Sequence, residues 1–273
     1  MKKFSVQTSE YIDKGAFWKK KVVQFLKDNI SDVSITNRNP DVVIILGGDG
    51  TIIDKVMEFE KYNPLFFGLN LGNVGFLASV RKENEFLEGI HSLIKGEFET
   101  STRMLLEAKV LSNKKVIAVH RAFNEVVVRH VAGVVDLSLS LGSQEIRSLK
   151  GDGVIIASPS GSTAYNFSAG GPIIDPKIES LIITSMMDLK GRKNSLVISP
   201  NNAVSIRVNS FRENRDSINK DVILTIDGKA QESLSMFDEV CVKKHSRAIR
   251  IAELITNKEN ENYFFASAKE KLD

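Results

Sequence analysis

Asp41-Val42-Val43-Ile44-Ile45-Leu46-Gly47-Gly48-Asp49-Gly50-Thr51 is the stretch that decides the fold. An unbroken apolar run stops at two glycines. A strand that is apolar at every position must be covered on both faces, as central strands of a parallel sheet are. A helical stretch follows from about Thr51 to Lys61. In open α/β sheets ligands bind at the carboxyl ends of strands. Glycines there let the backbone approach an anion, and a helix N-terminus brings free N–H groups and the positive end of its dipole. The stretch therefore carries the chemistry of phosphate binding. A plain strand-to-helix turn would use Asp49 and Thr51 as caps. Yet Gly47, Gly48 and Gly50 leave Asp49 little to bury it and much room for a ligand.

Upstream, Trp18, Val22, Phe25, Leu26 and Ile30 recur at helical spacing between lysines, which predicts a helix over 17–30. Downstream, Pro64-Leu65-Phe66-Phe67-Gly68-Leu69 is a second apolar run, ended by Asn70. Glu83–Lys95 is amphipathic, with Phe86, Leu87, Ile90, Leu93 and Ile94 on one stripe. Strand and helix alternating in this way imply right-handed βαβ crossovers and a parallel sheet. Near Arg103 the pattern changes to short β-type runs: Glu125–Arg129, Val134–Leu141, Val154–Ala157, Leu181–Thr184, Val204–Val208, Val222–Ile226 and Glu239–Val242. Strands this frequent favour an antiparallel sandwich. Only Ser162–Ala169 within that region reads as helix. The expected architecture is an α/β domain with a parallel sheet over 1–100 and a β-rich, sandwich-like domain over 101–255. A C-terminal segment over 256–273 includes a last helix at Phe264–Leu272.

With 273 residues, 42% hydrophobic and 26% charged, the chain is long enough to bury a core without disulfides or structural metal. Its one cysteine, Cys241, excludes an intramolecular disulfide and points to a reducing, cytoplasmic compartment. A net charge of +3 is too weak to argue for nucleic acid, and Lys19-Lys20-Lys21 reads as the solvated face of the first helix. No run approaches the length of a membrane span, and Met1-Lys2-Lys3-Phe4-Ser5 leads into no apolar signal region.

Four further motifs follow the first. Gly68-Leu69-Asn70-Leu71-Gly72-Asn73-Val74-Gly75-Phe76-Leu77 follows the second apolar strand, so it should lie beside the first loop on the same sheet edge. Asn124-Glu125 precedes Val126–Val128 and offers the donors and acceptors that a base edge or ribose needs. Lys150-Gly151-Asp152-Gly153 comes next, and then Gly161-Ser162-Thr163-Ala164-Tyr165-Asn166-Phe167-Ser168-Ala169-Gly170-Gly171-Pro172. In the last, the dense hydroxyls can cap a helix or hold phosphate and ribose. Tyr165 can stack on a flat ring for which Ala164 leaves space. There is no Walker loop, no Gly-x-Gly-x-x-Gly fingerprint and no nucleophile elbow. His91, His120, His130 and His245 lack zinc-ligand spacing, so no metal site of the protein's own is expected.

Taken in order, these motifs resemble the NAD kinase family, from about Asp41 to the C-terminus. The first loop is shared with diacylglycerol and sphingosine kinases; the 161–172 motif with Asn124-Glu125 ahead of it is the more specific part. The resemblance implies an α/β domain and a β-rich domain with NAD between them, and a C-terminus returning to the first. It implies Asp49 as the base that takes the proton from the adenosine-ribose 2′-hydroxyl, with Gly50 along the dinucleotide. It implies Asn124, Glu125, Lys150 and Asp152 as NAD ligands, and Thr163, Ala164, Tyr165, Asn166, Phe167 and Ser168 around the adenosine half. It also implies ATP or polyphosphate as donor, a divalent cation such as Mg²⁺ carried with the donor's phosphates, and a homodimer or homotetramer. Asp54, the stretch Met186–Lys193, and Lys229 after Asp227-Gly228 depart from the family's pattern. The rival readings are a lipid or sphingoid kinase of the same loop type and a nucleotide-binding protein without catalysis.

Overall fold

The computed structural model describes residues 2–11, 13–73, 75–191, 194–212 and 221–255. The chain divides into two units. One runs to Arg103 and is rejoined by the chain from Ile249; the other spans Met104–Ala248.

The first unit is α/β. Its elements are β1 (Lys2–Thr8), α1 (Asp13–Asn29), β2 (Val33–Ile35), β3 (Val42–Gly47), α2 (Asp49–Phe59), β4 (Leu65–Asn70) and α3 (Phe86–Lys95). The sheet has the order β2-β1-β3-β4, each strand parallel to its neighbours. Every residue of β3 is buried, as its unbroken apolar run requires. Phe4, Val6, Trp18, Val22, Leu26, Ile44, Phe67, Phe86 and Ile90 belong to one core cluster. α3 ends at Gly96, whose φ of 81° is a left-handed helix stop.

The second unit is the antiparallel β-rich module. It contains most of β5 (Phe98–Ser112), then β6 (Lys115–Ala122), β7 (Glu125–His130), β8 (Val135–Leu141), β9 (Gln144–Gly151) and β10 (Gly153–Ala157). After the short turn α4 (Tyr165–Ser168) come β11 (Leu181–Met186), β12 (Leu196–Ile198), β13 (Val204–Phe211), β14 (Val222–Ile226), β15 (Lys229–Leu234) and β16 (Glu239–Leu254). One sheet runs β12-β11-β10-β7-β14-β15, and a second face is built by β16-β13-β8-β9. Val126, Val128, Val154, Ile156 and Leu224 from the first meet Leu137, Leu139, Ile206 and Val240 from the second in a single apolar cluster.

The second half of β16 leaves this unit. Arg250 and Ile251 pair in parallel with Leu65 and Phe66 of β4, and Ala252 and Leu254 join the first unit's core. Residues 249–254, read from the sequence as β-rich domain, are thus a strand of the α/β unit, because β4 offers an unpaired edge with apolar cover. The expected segment 256–273, with its helix at Phe264–Leu272, lies outside the described residues.

Candidate active site

In the first unit, β3 and β4 are in register to their carboxyl ends, where Gly47 stands opposite Asn70. The loops that follow therefore start side by side. Leu71 donates its N–H to the Gly47 carbonyl at 3.2 Å, and a β-carbon on Gly72 would lie 3.0 Å from the Gly48 α-carbon. Neither loop could come so close with larger residues. Asn70 folds the second loop, accepting the Gly72 N–H at 3.0 Å and donating to the Gly72 carbonyl at 3.1 Å. Gly75, at φ 71°, packs over the Asn70 amide, and only glycine suits both demands.

Asp49 is the first residue of α2, where a carboxylate meets the positive end of the helix dipole. Its Oδ2 accepts the Phe76 N–H at 3.1 Å and its Oδ1 the Leu77 N–H at 3.0 Å. A carboxylate offers about four acceptor positions, so each oxygen keeps one for a ligand. Gly48, at the N-cap, makes no side-chain cap bond, and Gly50 is exposed. Asp54 is exposed on α2.

The other candidates stand in the second unit. Asn124 and Glu125 lead into β7. Glu125 is 4% exposed, and its Oε2 has no hydrogen-bond partner. Burial first, and then the nearby Asp227 charge, push its carboxyl up to about 8, while the Tyr165 backbone N–H pulls the other way. Ser158 ties this segment to the 161–172 motif: its hydroxyl donates to the Phe123 carbonyl at 2.6 Å and accepts the Gly161 N–H at 3.1 Å. A β-carbon at Gly161 would collide with the Asn124 carbonyl oxygen.

The 161–172 motif divides its residues between two roles. Asn166 has no exposure; its amide donates to the Ser162 and Pro172 carbonyls at 3.1 and 3.0 Å and accepts the Thr184 hydroxyl at 2.7 Å. That side chain is fully engaged within the protein, so only its main chain is left for a ligand. Thr163 is 5% exposed, Ala164 and Phe167 are half-buried and Ser168 is exposed. Tyr165, 37% exposed, lines a hollow of about 390 Å³ with Asp152, Met186, Arg129 and His130. Asp152 and Tyr165 are thus brought to one cavity, and Lys150 is exposed at the end of β9. Gly151 has to be glycine because a β-carbon there would lie 2.6 Å from the Met187 carbonyl oxygen. Asp152 donates its N–H to the Met186 carbonyl at 2.9 Å, and Leu189 donates to that of Lys150 at 2.8 Å. The stretch that departs from the family's pattern therefore lies against the Gly-Asp-Gly turn; Arg192 and Lys193 lie outside the described residues.

Sequence reading missed Asp227 and Arg129. Asp227-Gly228 is legible only as the place in the family's pattern that precedes Lys229, and Arg129 only as a strand residue. Among the described residues no three His, Cys, Asp or Glu side chains gather as a metal-ligand set. No described helix is long and apolar enough to cross a membrane.

A family model described as the ATP-NAD kinase N-terminal domain matches residues 4–98, and one described as the ATP-NAD kinase C-terminal domain matches residues 123–254. Fold and loops together define a phosphotransferase. The NAD kinase of Methanothermobacter thermautotrophicus is 35% identical over 240 residues, covering 87% of this chain and 78% of the relative. That of Natranaerobius thermophilus is 33% identical over 234 residues, covering 85% and 77%. The chain belongs to the NAD kinase family. Its fold is also that of yeast NADH kinase, solved with NADH (TM-score 0.86, 20% identity, 100% of this chain and 87% of that one). An Archaeoglobus fulgidus NAD kinase solved with ATP gives a TM-score of 0.70 at 24% identity, covering 98% and 99%.

Proposed function

We propose that this chain transfers the γ-phosphoryl group of ATP, or the terminal group of polyphosphate, to the 2′-hydroxyl of the adenosine ribose of NAD, giving NADP. The observation that carries the reading is Asp49. It is the only ionisable side chain of its loop, and two amides of the neighbouring loop fix its carboxylate at the carboxyl edge of the sheet. A ribose hydroxyl is a weak nucleophile. Asp49 accepts its proton as the new O–P bond forms and the bond from the γ-phosphorus to the β–γ bridging oxygen breaks, releasing ADP. The uncapped first turn of α2 and the exposed Gly50 turn backbone amides toward the phosphates.

Asn124, Glu125, Lys150, Asp152, Thr163, Ala164, Tyr165, Phe167 and Ser168 hold NAD in this reading, with Asn166 contributing its main chain. The divalent cation of this reading, Mg²⁺, travels on the donor phosphates. That ion neutralises charge on the transferring group. The lone cysteine supports a cytoplasmic location. Val116, Ile117 and Val119, all more than half exposed on β6, support assembly into a homodimer or homotetramer through the β-rich unit. Light scattering of active enzyme reads that directly, and a monomeric mass overturns it. The activity itself is tested by incubating the chain with NAD, ATP and Mg²⁺ and assaying NADP. No NADP from any donor, with phosphorylation of a sphingoid base or diacylglycerol instead, would overturn the reading, as would NAD binding without turnover.

A further inference from the structure

The turn between β14 and β15 does more than reverse the chain. Asp227 and Gly228 both sit at positive φ, 47° and 78°, as a tight two-residue hairpin demands. In such a turn an aspartate normally faces water. Here its carboxylate reaches back over about a hundred residues of sequence to close on three successive backbone amides. Oδ2 accepts the Phe123 N–H at 2.8 Å; Oδ1 accepts those of Asn124 at 2.7 Å and Glu125 at 3.1 Å. The Asp227 N–H completes the clasp on the Glu125 carbonyl at 3.1 Å. Both carboxylate oxygens are thus committed to backbone, whereas the buried Oε2 of Glu125 is left without a partner.

We infer that Asp227 is a positioning residue for the nucleotide. It fixes the backbone of Asn124-Glu125 so that these two side chains, and in particular the unpaired carboxyl oxygen of Glu125, are left for NAD. The inference rests on the functional reading above. Nothing in it requires Asp227 to touch the ligand.

Burial, and after it the same carboxylate, raise the carboxyl of Glu125. The groups facing Glu125 are Asp227 from the turn and the Tyr165 N–H from α4; its pairing partner on β10, Ala157, carries no charge, and Lys229 acts on Asp227. Glu125 is therefore neutral at pH 7, with a carboxyl near 8. Ionising it would place a second buried carboxylate beside an anionic dinucleotide, so the KM for NAD rises as pH passes about 8.

The test is the KM for NAD and for ATP over roughly pH 6.5–9.5, with folding checked by circular dichroism. Asp227→Asn removes the charge and points an amide N–H at a backbone N–H. It should raise the KM for NAD about tenfold or more, leave the KM for ATP within about twofold, and move the break to lower pH. Glu125→Gln should abolish the break. An unchanged KM for NAD in Asp227→Asn, equal changes for both substrates, or an unmoved break overturns the inference. If Asp227→Asn does not fold, a break that persists in Glu125→Gln overturns it instead. A wild-type chain that makes no NADP sinks the functional reading and this inference with it; an active wild type with an unaffected variant sinks the inference alone.

Discussion

The carboxylate of Asp49 accepts the backbone N–H of Leu77 at 3.0 Å, across 28 residues of sequence. The orientation of the proposed base is therefore set by a second loop, whose own shape depends on Asn70, Gly72 and Gly75. Catalytic geometry and loop packing are one problem here.

Asp49→Asn keeps the side chain's size but cannot take a proton at neutral pH, and its amide can satisfy only one of the two N–H groups now bound. Turnover should fall by about 10²–10⁴ while titration calorimetry still shows NAD binding. The melting temperature should drop by only a few degrees, on the scale of about 1 kcal/mol for the lost amide bond. Near-normal turnover with NAD binding lost would mean that Asp49 only positions the ribose.

Tyr165→Ala removes a half-exposed ring from the wall of the hollow but leaves its backbone N–H on Glu125. A lost stacking contact is worth about 1 kcal/mol, so the KM for NAD should rise about fivefold and that for ATP should not. An unchanged KM for NAD would assign the ring to packing alone.

Gly161→Ala sets a β-carbon against the Asn124 carbonyl, which is backbone and cannot swing away. A urea melt should show a loss of about 2–4 kcal/mol, with NAD binding weakened in any protein that folds. Wild-type stability and affinity would show that the Asn124 segment is free to shift.

Stability should also report Glu125. Its folded-state carboxyl lies near 8, above the ordinary 4.5, so its neutral form favours folding in acid. That contribution is complete below about pH 4.5 and lost as pH climbs toward 8, on the order of 3–5 kcal/mol in all. Unfolding free energies of wild type minus Glu125→Gln should therefore fall across that window. Asp227, raised by burial against its three amide bonds, is present in both proteins and cancels. A flat difference would show Glu125 ionised throughout.

The sequence disclosed some of this arrangement and hid the rest for physical reasons. β3 was legible because all of Val42–Leu46 is buried, and the 71–77 loop because glycine and asparagine mark a folded-back chain. β1 was not, since its buried positions include Ser5 and Gln7, which bond to each other and to Asn37 instead of forming an apolar run. Ser162–Ala169 reads as one helix, yet Ala164, at ψ −131°, breaks it into a tight turn over Ser160–Thr163 and the single turn of α4. The second half of β16 alternates charge and apolar residues too irregularly to announce a strand of a parallel sheet. In the site, the family resemblance set Asn166 around the adenosine half, whereas Ser162, Pro172 and Thr184 consume its side chain. Nothing local showed that Asp227 turns inward; that depends on a contact about a hundred residues away.

The return of β16 to β4 has a consequence for how the protein is made. The α/β unit's last strand is synthesised 146 residues after Arg103, once Ile249 is reached. At about 5–20 residues per second, β4, complete at Asn70, waits roughly 9–36 s with an open edge and an incomplete apolar cover. The β-rich unit, contiguous from Met104 to Ala248, is synthesised whole before that last strand appears. Biogenesis therefore runs against sequence order: the unit begun first is finished last, and a chain stopped before Ile249 carries the Asp49 loop on a sheet that has not closed.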